Sequence, residues 1–72
     1  MQISRFPDGG FAIHKIPTRA GASRLSAWYD KTGSLLDCES INVLGNSYRP
    51  ARSDIEHCKR LGPIYATETE GT

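Results

Sequence analysis

Apolar and polar positions alternate most clearly in "RLSAWYDKTGSLLDCESI", residues 24 to 41. Two runs of period two flank "DKTG", a pattern that reads as a β-hairpin with strands near Arg24–Tyr29 and Ser34–Ile41. Gly33 supplies the left-handed residue that closes such a turn. A four-residue loop sets Tyr29 against Ser34, Ala27 against Leu36, Leu25 against Cys38 and Arg24 against Glu39. That register gathers Leu25, Ala27, Tyr29, Leu36 and Cys38 on one side. Arg24, Ser26, Trp28, Leu35, Asp37 and Glu39 take the other. A slip of one residue sets Ala27 against Asp37 and mixes the faces. Register follows the buried pattern, so the first pairing is expected. The only tryptophan then points away from the packed face.

An earlier hairpin is expected in "MQISRFPDGGFAIHKI". Asp8-Gly9 suits a two-residue type I′ turn, which needs positive φ at both centres, and this would pair Phe6 with Phe11. Residues 17–23 form a loop marked by Pro17 and Gly21, and "VLGNSYRP" is a turn-rich connection. A helix follows. Ser53 and Glu56 have capping-box spacing and Asp54 suits the first turn, while Pro50 offers a start one turn earlier. Lys59 and Arg60 suit the last turn, and Gly62-Pro63 is a stop signal. Ile55, Cys58 and Leu61 share a stripe, joined by Ala51 if the helix starts early. Residues 64–67 then read as a short edge strand.

The implied fold class is α+β: an antiparallel meander of about four strands in two hairpins, with one short C-terminal helix packed on one face. The domain spans residues 1–66, and residues 67–72 form a flexible acidic tail. A short helix covers only part of a sheet, so the other face meets water or a partner.

Size and charge narrow the function. A chain of 72 residues buries only about 60% of the surface it exposes when unfolded. A deep, water-excluding active site is hard to build at that size, so an enzyme is not expected. Net charge is +1, which gives no global field to gather polyanions. No apolar run has the length of a signal segment or a membrane span, so a cytoplasmic protein is expected.

Candidate chemistry is sparse. His14, Cys38, His57 and Cys58 match a zinc site in number, but no Cys-x2-4-Cys pair exists and adjacent helical residues diverge by roughly 100°. No metal is therefore expected. Cys38 and Cys58 belong to the packed face and to the helix stripe above it, where two buried free thiols are expected. Neither has a convincing base for nucleophilic catalysis. Asp37 and Glu39 share a face, and Arg24 opposite Glu39 explains the pair as a cross-strand ion pair rather than an acid–base couple. No glycine-rich segment opens a helix, so no phosphate loop and no cofactor are expected.

The expected function is that of a small non-enzymatic interaction protein. It would present its open sheet face to a protein partner or to a second copy of itself, as inhibitors or accessory factors from mobile elements do. Trp28, Arg24, Leu35 and Tyr48 are the expected partner-binding residues, since exposed Trp, Tyr and Arg are enriched at binding hot spots. The alternative is a nucleic-acid-binding module using Arg19, Arg24, Arg49 and Arg52 beside aromatic rings. A sequence pI of about 7.8 weighs against it.

Overall fold

The computed structural model describes residues 1–18, 21 and 23–70, without the side chains of residues 67–70. Among the described residues there are five strands: β1 (Gln2–Arg5), β2 (Phe11–Pro17), β3 (Arg24–Tyr29), β4 (Leu35–Ile41) and β5 (Ser47–Tyr48). They form one antiparallel sheet in the order β1-β2-β3-β4-β5. A single helix, α1 (Arg52–Glu70), packs against β3 and β4. This is the small α+β meander expected, with one more strand and a longer helix.

Three hairpin loops share one construction. In each, the N–H of the fourth residue bonds to the carbonyl of the first: Gly9 to Phe6, Gly33 to Asp30, Gly45 to Asn42, at 3.0 Å each. The fourth residue is glycine every time, with φ of +94°, +90° and +89°. A type I turn followed by a left-handed residue makes a three-residue hairpin loop, and glycine takes that conformation without a Cβ penalty. Asp30 and Asn42 add side-chain support. Asp30 Oδ1 accepts the N–H groups of Thr32 and Ser34, and Asn42 Oδ1 those of Leu44 and Asn46.

These loops correct both expected registers. The first loop is Pro7–Gly9, not Asp8-Gly9, so Phe11 faces Arg5 rather than Phe6. Phe11 instead stacks on Tyr29, with ring centroids 4.9 Å apart and planes 19° apart. In the second hairpin, Asp30 rather than Tyr29 faces Ser34, which moves the pairing by one residue. A bulge at Leu36 then moves it by one more. Tyr29 pairs with Leu35, but Trp28 pairs with Asp37, Ala27 with Cys38, Ser26 with Glu39, Leu25 with Ser40 and Arg24 with Ile41. Two single shifts sum to two, so Cys38 keeps the face expected of it. Leu35 and Leu36 exchange faces: Leu35 packs on the core, and Leu36 is exposed.

A second bulge lies in β2. Ile13 pairs with Ala27 and Ile16 with Leu25, so His14 and Lys15 together oppose Ser26. Lys15 sits at φ +59°. This left-handed residue restores Ile16 to the same face as Phe11 and Ile13, and all three are fully buried. With Leu25, Ala27, Tyr29, Cys58 and Ala66 they make the core.

Helix α1 is built for close approach. Cys58, Gly62 and Ala66 recur every four residues and are all buried, while Ile55, Leu61 and Tyr65 flank them half-buried. At Gly62 the helix backbone meets the β3–β4 turn. A Cβ on Gly33 would lie 2.6 Å from the Gly62 carbonyl oxygen, and a Cβ on Gly62 would overlap the Gly33 carbonyl oxygen. Tyr29 fixes the same junction, donating its hydroxyl to the Cys58 carbonyl at 2.7 Å in the core.

The helix therefore continues through Gly62-Pro63, where a stop was expected, and residues 64–67 belong to it rather than to an edge strand. An interior proline costs roughly 3 kcal/mol of helix propensity. Packing of Tyr65 and Ala66 against the core offsets that cost. At the other end the helix starts at Arg52, with Ala51 accepting from the N–H groups of Asp54 and Ile55. Ser53 is thus already inside the first turn, and the expected capping box is not its start.

Two stability outcomes follow from these contacts. Gly62→Ala forces helix and turn apart and should destabilise by ~3 kcal/mol or more, enough to unfold much of so small a domain in urea titrations. Lys15→Gly should do the opposite. Relief of left-handed strain is worth ~1–2 kcal/mol and added unfolded-state freedom removes ~0.5–1, leaving a net gain of about 0.5–1 kcal/mol in the same assay.

Candidate functional site

Strand alternation sends Arg24, Ser26 and Trp28 to the face without the helix, opposite Leu25, Ala27 and Tyr29. Trp28 is half-buried there. Its ring meets the His14 ring edge-on, with centroids 5.9 Å apart and planes at 83°. His14 Nδ1 and Ser26 Oγ share a hydrogen bond of 3.1 Å. Ala12, directly across from Trp28, and Ser26 are almost fully covered although no helix lies over them. Trp28 and His14 thus act as a local roof on an otherwise open sheet.

Shallow grooves flank this roof. One lies toward the turns that join β1 to β2 and β3 to β4, where Trp28 is joined by Phe6, Asp8, Gly10, Asp30, Lys31 and Leu36. Phe6 and Leu36 are 40% and 67% exposed. Apolar area is therefore displayed beside an aromatic ring that already has its back to the sheet. The other groove runs along the β2 bulge, lined by His14, Lys15, Arg24, Ser26, Ile41 and Asn42.

The expected partner-binding residues do not all meet here. Trp28 and Arg24 share the face, but four residue steps along β3 separate them by roughly 13 Å. The Arg24 guanidinium Nη1 donates to the carbonyls of Gly21 and Ser23, 3.0 Å each, and Arg24 faces Ile41 rather than Glu39. The expected ion pair with Glu39 is not formed. Leu35 is turned to the helix side, and its place beside Trp28 goes to Leu36. Tyr48 pairs with Ser40, which pairs with Leu25, so it too lies on the helix side. Its hydroxyl accepts from Asn42 Nδ2 at 3.2 Å. Phe6, His14 and Leu36 are the neighbours of Trp28 that alternation alone missed, because loop length and two bulges put them there.

The basic set is divided as well. Arg24 belongs to β3, Arg49 follows β5 and Arg52 opens α1, all exposed, while Arg19 lies outside the described residues. Among the metal candidates, His14 is on the open face and His57 is exposed on α1, whereas Cys38 and Cys58 face the core. Among the described residues no group of three or more His, Cys, Asp or Glu gathers as metal ligands would. No described helix is long and apolar enough to cross a membrane.

The two thiols do meet. Cys38 of β4 and Cys58 of α1 are free and near enough for Cys38 to raise the proton affinity of Cys58 and for both to raise that of Tyr29. Burial pushes the Cys58 thiol up to about 11, aided by the Cys38 thiol beside it. Burial also raises Cys38, with Asp37 adding to the effect. Burial raises the Tyr29 phenol in turn, followed by Cys58 and Cys38. The cluster thus favours its neutral forms and holds no activated nucleophile.

No family model, curated protein or solved structure matches this chain.

The thiol pair generates a pH dependence. A folded-state value raised from about 9 to about 11 means that stability is intact below pH 9 and declines as pH rises toward 11. The loss attributable to Cys58 is on the order of 2 kcal/mol at pH 11. Urea midpoints of wild type and Cys58→Ala between pH 7 and 11 should therefore converge as pH rises. Parallel curves would show that Cys58 titrates as an ordinary thiol.

Proposed function

We propose that this chain is a non-enzymatic interaction protein that docks a protein partner on the helix-free face of its sheet. The observation that carries the reading is the placement of Trp28. It is only half-buried, braced by His14, and bordered by the exposed Phe6 and Leu36. A rigid aromatic with apolar neighbours and a polar surround is the composition found at interface centres. The core does not use the ring, because Phe11, Ile13, Ile16, Leu25 and Tyr29 already fill the space beneath α1. A different protein or a second copy of this chain would use the same face.

A photo-reactive phenylalanine analogue at position 28, in the native host, tests the reading. A discrete cross-linked species is expected from position 28 and none from position 57 or 64, both exposed on α1. Leu36→Glu should abolish that species while shifting the unfolding free energy by no more than ~0.5 kcal/mol, since Leu36 is 67% exposed. Equal cross-linking from all three positions would mean that the face has no special role.

A further inference from the structure

The bulge groove identifies the chemistry of what docks. Six residues line it: His14, Lys15, Arg24, Ser26, Ile41 and Asn42. Two carry fixed positive charge and none carries negative charge. Neither Lys15 nor Arg24 makes an ion pair with any described residue. Arg24 is held in place by its bonds to the Gly21 and Ser23 carbonyls, which are neutral acceptors and leave its charge uncompensated. Glu39, opposite Ser26 on the same face, is the nearest acid by register, yet it pairs with neither cation.

Lys15 adds a second argument. Its left-handed φ of +59° is a conformation that glycine adopts freely and lysine does not. The bulge is needed to bury Ile16, but it does not need a side chain at position 15. A lysine there keeps a cation on the rim at the expense of backbone strain, and strain of this kind concentrates where a side chain has a task. His14, the other bulge residue, touches both the groove and Trp28, so the groove is continuous with the proposed docking face.

We infer that the groove along the β2 bulge receives an aspartate or glutamate side chain of the partner, held between Lys15 and Arg24. This rests on the docking reading and adds the partner's chemistry: an acidic segment whose apolar neighbour reaches Trp28. Charge-assisted bonds to a carboxylate suit both a lysine ammonium and a guanidinium with free N–H groups.

The test is an amide spectrum of the nitrogen-labelled full chain, titrated separately with acetylated hexaglutamate, hexaglutamine and a thymidine hexanucleotide. Hexaglutamate is expected to shift the amides of His14, Lys15, Arg24, Ser26 and Ile41, and hexaglutamine to leave them in place. Lys15→Gly and Arg24→Gln should each weaken the hexaglutamate Kd at least tenfold, with melting temperature retained or raised for Lys15→Gly. Shifts by hexaglutamine at the same concentration, or tighter binding of the oligonucleotide, would overturn the assignment. No shift with hexaglutamate, alongside a position-28 cross-link that persists in Lys15→Gly, sinks the acidic ligand and leaves the docking face standing. Loss of both sinks both.

Discussion

Helix and sheet touch backbone to backbone at Gly62 and Gly33, and the remaining geometry depends on that contact. Close approach at this point lets a short stripe of Cys58, Gly62 and Ala66 lie directly on β3 and β4. The Tyr29 hydroxyl reaches the Cys58 carbonyl only because the helix sits this near. Tyr29 then stacks on Phe11, which ties β2 to the same junction. A chain this small has little other core. Any side chain at either glycine would lift the helix, break the hydroxyl bond and open the space over Phe11. The marginal stability of small domains makes such a single junction decisive.

The second constraint is that extra residues in β2 and β4 keep large apolar groups on one side. The Lys15 bulge returns Ile16 to the core, and the Leu36 bulge returns Cys38 to it. Each bulge also exports something to the other face. From β2 come Lys15 and the ring of His14; from β4 comes Leu36. The features that distinguish the helix-free face are therefore by-products of how the core is filled. They frame Trp28 on both sides, with a groove of Phe6 and Leu36 beside Asp8, Asp30 and Lys31 on one flank and a cationic one on the other.

This arrangement explains why binding, rather than chemistry, is the reading that the geometry favours. The groups with the most perturbed proton affinities are the thiols and phenol of the core, where burial keeps them neutral and out of reach. The exposed face carries charge and aromatic surface, which is what the proposed binding role rests on.

Local signals in the chain were sufficient for the class of fold, the alternation of β3 and the placement of Trp28 away from the core, whereas of the expected helix stripe of Ile55, Cys58 and Leu61 only Cys58 is fully buried and Gly62 and Ala66 complete the line. These depend on near neighbours: period two, helix spacing, and glycine where φ must be positive. Three other features were beyond local signals. Leu35 and Leu36 are both apolar, so alternation could not say which faces inward, and the length of the preceding loop decided it. Val43 and Leu44 are apolar residues in a tight loop, which hid the third hairpin and β5; only the bonds from Asn42 and the φ of Gly45 reveal it. Gly62-Pro63 is a genuine local stop signal. It is overridden because Gly62 is the one residue type that fits against the Gly33 turn, and because Tyr65 and Ala66 beyond it gain burial. Sequence determined which residues want to be inside. Tertiary structure decided how the backbone bends to put them there, because contact between distant glycines and the count of residues across a bulge are properties of the folded pair, not of either segment alone.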